Sequence, residues 1–165
     1  MKSILLIRHA KSSWDDISID DKDRPLNDRG KRDAPMMAER LLDRKIEIDA
    51  FISSPAKRAR KTAEVFSKAF GQGKKHVEIK EELYEASEND FASVVENLPN
   101  ELNIVAIFSH NPGITEFANR LTSTRVDNIP TTGIFAVKAE TNDWKSFASA
   151  AKELLFFDYP KSILD

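Results

Sequence analysis

The 165 residues contain no cysteine, which excludes disulfides, thiol catalysis and cysteine-ligated zinc or iron–sulfur centres together. Long apolar runs are also missing. Nothing approaches the roughly 18 residues of a membrane-spanning helix, and the apolar stretch Ile4 to Ile7 is too short for a secretory signal core. A cytoplasmic protein without membrane association is therefore expected. Charge of one sign is lacking too: 25 Lys and Arg stand against 27 Asp and Glu, for a net charge of -2. No overall positive field recruits nucleic acid, so any anion site has to be built locally. What is present is 41% hydrophobic and 32% charged residues, enough apolar material for one core, with roughly 70% of the unfolded chain's surface expected to be buried. No internal repeat, low-complexity tract or linker marks a boundary, so residues 1–165 are read as one domain.

Short β-branched apolar runs alternate with longer helical patterns, the mark of an α/β sheet with crossover helices. Lys2 to Ile7 opens as a strand. Ser12 to Pro25, with five Asp, reads as a long exposed loop of the kind that often carries function. Asn27 offers a helix cap, while Pro35 implies a kink or a late helix start. Ala50 to Ser53 is a second strand, and Ser54-Pro55 reads as a capping hydroxyl before a first-turn proline, opening a helix to about Phe70. Val77 to Ile79 is a brief third strand, Glu88 to Leu98 a helix closed by Pro99, and Asn103 to Phe108 a buried strand. Asn111-Pro112 repeats the cap-then-proline pattern for a helix through Leu121. Gly133 to Lys138 and Leu154 to Phe157 read as late strands at sheet edges, with Trp144 between them in the core.

Three strands thus deliver polar groups at their C-terminal ends: Arg8 and His9, Ser53 and Ser54, Ser109 and His110. In open α/β sheets that edge binds ligands. Helices opening at Pro55 and Pro112 would turn unpaired backbone N–H groups toward the same edge, and Arg58 in the first turn could reach back over it. Taken singly, a strand-end histidine is more often an ordinary hydrogen-bonding residue, and Lys57, Arg58, Arg60 and Lys61 read as a solvated helix face. Two histidines and two arginines converging on one anion is the sharper reading.

Leu5-Leu6-Ile7-Arg8-His9-Ala10-Lys11-Ser12-Ser13-Trp14 resembles the Arg-His-Gly signature of the histidine phosphatase (phosphoglycerate mutase-like) superfamily, in the form of its short SixA-type phosphohistidine phosphatases. Asp21 to Gly30, Ser53 to Ala63 and Ser109 to Gly113 are similar to later family blocks, in order. The resemblance implies a three-layer α/β sandwich, with a mostly parallel central sheet and helices on both faces. It makes His9 the nucleophile that becomes phosphorylated, surrounds the phosphoryl group with Arg8, Arg58 and His110, and puts Ser12, Asp21, Arg24 and Asn111 among substrate-binding residues. It calls for no metal and no cofactor, and its implied partner is phosphohistidine on a protein or a small phosphorylated molecule. The chemistry agrees, since a neutral imidazole attacks phosphorus without first losing a proton and planar guanidinium groups suit equatorial phosphoryl oxygens.

Three departures stand out. Ala10 and Lys11 replace the usual Gly-Glu pair, and Asp15 stands where many members carry a phosphate-contacting Asn. Glu85 is only loosely in register with the acid that protonates a leaving oxygen in larger members, and reads as a solvated loop residue. Three other readings remain: a small-molecule phosphomonoesterase on the same site, a non-catalytic phosphoprotein-binding module, and a metal hydrolase built on His9, His110 and Asp21.

Overall fold

Strand β1 (Lys2–Arg8) sends Ile4 and Leu6 to one face and Leu5 and Ile7 to the other, apolar on both because both are covered. The structure, a computed structural model, describes residues 1–162. β2 (Ala50–Ser53), β3 (Val77–Ile79) and β4 (Ile104–Ser109) join β1 in a parallel set. β5 (Ile134–Ala139) pairs antiparallel with β1, and β6 (Lys152–Asp158) antiparallel with β5, giving the order β3-β2-β4-β1-β5-β6.

Helices α1 (Asp28–Asp43) and α2 (Lys57–Ala69) cover one face, where Met37, Ala38, Leu41, Ala63 and Phe66 meet Leu5, Ile7, Phe51 and Phe108. α3 (Glu88–Glu96) and α4 (Gly113–Leu121) cover the other. On α4 the buried residues Ile114, Phe117, Ala118 and Leu121 recur at the three- and four-residue spacing of one helical face. Each such Ile, Leu or Phe contributes roughly 1.5–3 kcal/mol on leaving water. The result is the expected three-layer sandwich with a mostly parallel sheet. No helix among the described residues is long and apolar enough to cross a membrane. Trp144 is fully buried, and the Lys2 ammonium, also buried, is satisfied by the Asn100 carbonyl at 2.6 Å, the Leu102 carbonyl at 2.8 Å and Asn103 Oδ1 at 3.0 Å.

Several local expectations are corrected. α1 begins at Asp28 with the Asn27 side chain accepting from the Gly30 N–H, and it runs through Pro35 without a late start; packing of its apolar face outweighs the one lost backbone bond. α2 begins at Lys57 and not at Pro55, because the Ser54 hydroxyl accepts from the Ala56 N–H, before the helix, and also meets His110. α4 begins at Gly113, after Pro112. β5 lies inside the sheet between β1 and β6, not at an edge. Within the expected exposed loop, Ser12 and Arg24 are buried and Asp21–Asp23 forms a 3-10 turn.

Candidate active site

Because β1, β2 and β4 are parallel and in register at Arg8 opposite Ser109 and Ser53 opposite Phe108, their C-terminal ends deliver His9, Ser54 and His110 to one sheet edge. The His9 and His110 rings lie 5.1 Å apart. His9 Nδ1 donates to the Ala10 carbonyl at 2.7 Å, which places the ring proton on Nδ1 and leaves Nε2 as the basic nitrogen. The loop after β1 is held on three sides. Ala10 N–H donates to Thr62 Oγ1 at 2.9 Å, Thr62 Oγ1 donates to the Arg58 carbonyl at 2.7 Å, and the Thr132 N–H donates to the carbonyls of Arg8 and His9. Behind it the first turn of α1 comes so close that a Cβ on Gly30 would stand 2.2 Å from the Lys11 carbonyl oxygen.

Arg58 donates from one terminal nitrogen to the Asp21 carbonyl at 2.7 Å and from the other to Asp21 Oδ2 at 3.0 Å. Tyr84 donates its hydroxyl to the same Oδ2 at 2.6 Å, and Arg24 Nε reaches Oδ1 at 3.2 Å. Burial opposes ionisation of Asp21, but the bonds from Tyr84 and Arg58 and the charge of Arg58 outweigh it and hold the carboxyl at about 2. The same bond pushes the Tyr84 hydroxyl up to about 12. His9 and His110 are 7% and 8% exposed. Burial first, then the nearby positive groups, lowers His9 to about 3 against the stabilising Ala10 bond. Burial and Arg58 likewise lower His110 to about 3. Both imidazoles are therefore neutral at pH 7.

Arg8 Nε, Arg58 Nε, His110 Nδ1 and Thr132 Oγ1 are buried without a hydrogen-bond partner among the described residues. An unpaired buried polar group costs about 1–3 kcal/mol, so four around one imidazole mark a place organised for something other than stability. A cavity of about 490 Å³ opens over Arg58 and His110, with Asp21, Tyr84, Glu85 and Asn111 also in its wall. The arrangement can hold an anion beside a neutral nucleophilic nitrogen.

The four residues read as a phosphoryl site, Arg8, His9, Arg58 and His110, are thus brought together, though Arg8 and His9 do not themselves line the cavity. The four read as substrate-binding behave differently. Asp21 is the carboxylate partner of Arg58, Arg24 and Tyr84, and its charge would repel a phosphate. Ser12 Oγ accepts from Arg24 at 2.6 Å, and neither residue lines the cavity. Asn111 donates its amide to Asn128 and to the Ile129 carbonyl and accepts from Thr115, so both its N–H bonds clamp a loop. These polar groups satisfy one another. Glu85 does line the cavity, exposed and with the uncommon positive φ of 53°. Sequence reasoning missed Thr62 and Thr132; the one local signal was Thr62 standing four residues after Arg58. Among the described residues no cluster of three His, Asp or Glu forms a metal-holding group.

The chain is 30% identical to an uncharacterized protein of Mycobacterium leprae over 169 residues, covering 94% of this chain and all of that one. Its structure matches the putative phosphohistidine phosphatase SixA from Agrobacterium tumefaciens with a TM-score of 0.81 at 25% identity, covering 96% of this chain and 98% of the other. It matches the protein histidine phosphatase SixA complexed with tungstate with a TM-score of 0.80 at 22% identity, covering 95% and 96%, a likeness of fold. The model of the histidine phosphatase superfamily (branch 1) matches residues 4–103, more than half of the chain, and on that match the protein belongs to this superfamily and is a phosphatase.

Proposed function

We propose that the protein removes phosphate from phosphohistidine on a protein through a covalent phospho-His9 intermediate. His9 Nε2 attacks phosphorus while the P–N bond to the substrate imidazole breaks, and the departing nitrogen takes a proton from solvent. Water then attacks phospho-His9, releasing inorganic phosphate and restoring the imidazole. The observation that carries this reading is the Nδ1–H bond from His9 to the Ala10 carbonyl, made by a ring that burial and positive neighbours keep neutral. Arg8 and Arg58 supply planar donors for the equatorial oxygens, and His110 a further hydrogen bond. With the charge provided by side chains, the step needs neither metal nor organic cofactor.

The substrate class follows from leaving-group chemistry. An imidazole leaves with a conjugate acid near pKa 6.5, at about physiological pH, whereas an alkoxide demands protonation worth roughly 100- to 10,000-fold. No hydrogen bond holds the Glu85 carboxylate toward a leaving oxygen among the described residues. Its position in the cavity wall nonetheless favours one second reading, a phosphomonoesterase for small esters in which Glu85 protonates the leaving oxygen.

Rapid quench with a radiolabelled phosphohistidine peptide tests the mechanism. Acid-labile label should appear on wild-type protein and map to His9, and His9→Ala should neither take up label nor turn over while keeping its circular dichroism spectrum. Near-normal turnover by folded His9→Ala would end the proposal. Efficient hydrolysis of phosphoserine without hydrolysis of the phosphohistidine peptide would move the assignment to small esters.

A further inference from the structure

A second and larger cavity, about 690 Å³, lies along α2 and the segment before α1. Its wall holds Lys31, Lys57, Lys61, Lys68 and Lys74 against one carboxylate, Glu64. Glu64 pairs with Lys61 at 3.4 Å and with Arg60 at 3.5 Å; the other four lysines make no ion pair among the described residues. A chain of net charge -2 thus concentrates positive charge at one concave place. Its floor is apolar. Leu26 and Val65 pack in one small cluster with Ala34 and Ala10, the residue that follows His9. In its wall Lys57 immediately precedes Arg58. One wall residue of the groove, Lys57, and one residue packed against its floor, Ala10, are thus chain neighbours of Arg58 and His9.

Resting on the phosphohistidine reading above, we infer that this groove docks an acidic polypeptide segment flanking the phosphorylated histidine of the protein substrate. Lysine ammonium groups at the rim attract carboxylates, while their alkyl stems and the Leu26–Val65 floor accept the aliphatic side chains between them. A site made for inorganic polyanions alone has no use for that floor. Rim charges of this kind act mainly on association rate and on discrimination between partners.

Two phosphohistidine peptides of equal length test the inference, one flanked by Glu and Leu and the other by Lys and Leu, with phosphoramidate as a substrate too small to reach the groove. Wild-type kcat/KM should favour the acidic peptide by about tenfold or more, a steering effect of ordinary size, and the preference should shrink as salt rises from about 50 to about 500 mM. The triple variant Lys61→Glu, Lys68→Glu, Lys74→Glu should lose the preference while keeping phosphoramidate turnover within about twofold of wild type. The Lys→Gln triple should lose it in the same way if the charge-reversed protein does not fold. Equal kcat/KM for both peptides, insensitive to salt, overturns the groove and leaves the phosphohistidine reading intact. Hydrolysis of neither peptide alongside hydrolysis of small esters overturns that reading, and the groove with it.

Discussion

Acidification from about pH 7.5 to about pH 5 should destabilise the folded protein by about 2 kcal/mol for each of His9 and His110. Burial and the nearby arginines hold both near pKa 3 in the folded chain, against the ordinary 6.5, and His110 also lowers His9. An unfolded chain takes up a proton at each histidine near pH 6.5, and the folded chain does not. Stability is therefore full above pH 6.5 and falls as the pH drops toward 3, by up to about 1.4 kcal/mol per pH unit for each group. Descending to pH 5 crosses about 1.5 units of that window, hence about 2 kcal/mol per histidine. Neither ring is protonated in the folded state over this range, so the two effects add to about 4 kcal/mol. Asp21, held at about 2, releases its contribution only below the usual carboxylate range and does not enter. Urea denaturation of wild type, His9→Gln and His110→Gln at both pH values measures this. Each variant should lose about 2 kcal/mol less than wild type on acidification. Equal losses in all three proteins would refute the neutral, buried pair.

Arg58→Lys should lower kcat/KM by about 100-fold, since a point charge cannot replace two donors on a fixed fork; steady-state kinetics at wild-type level would leave Arg58 only the role of holding Asp21. Glu85→Gln should change phosphohistidine turnover by less than about tenfold while phosphoserine remains a poor substrate for both proteins. Phosphoserine hydrolysis that is efficient in wild type and collapses in Glu85→Gln would instead identify Glu85 as a general acid. Gly30→Ala should cost at least about 1–3 kcal/mol, because its Cβ would sit 2.2 Å from a backbone oxygen that cannot swing away as a side chain can. The displaced Lys11 neighbours Ala10, whose carbonyl orients His9, so activity should fall as well. Wild-type urea midpoints for Gly30→Ala would show that the turn relaxes freely.

The residues that make the strands announce themselves locally. Ile4 to Ile7 apolar on both faces, and polar pairs following β1, β2 and β4, place His9, Ser54 and His110 at one edge once those strands are parallel. That much, and the gathering of Arg8, His9, Arg58 and His110, was legible in the chain, because strand period and strand ends are short-range properties. Partnership is not short-range. Nothing near Asp21 in sequence says that its carboxylate will be taken by Arg58 and Tyr84, 37 and 63 residues away. Nothing near Asn111 says that its amide will be spent on Asn128 and Ile129, or near Ser54 that its hydroxyl will meet His110 and not cap α2. A polar side chain's hydrogen bonds go to whatever acceptor the packed fold brings within about 3 Å, and burial makes leaving them unmade costly. The sequence by itself therefore determined which residues could be present at the sheet edge; the tertiary structure alone decided which of them keep an unpaired polar atom there and which hold one another in place.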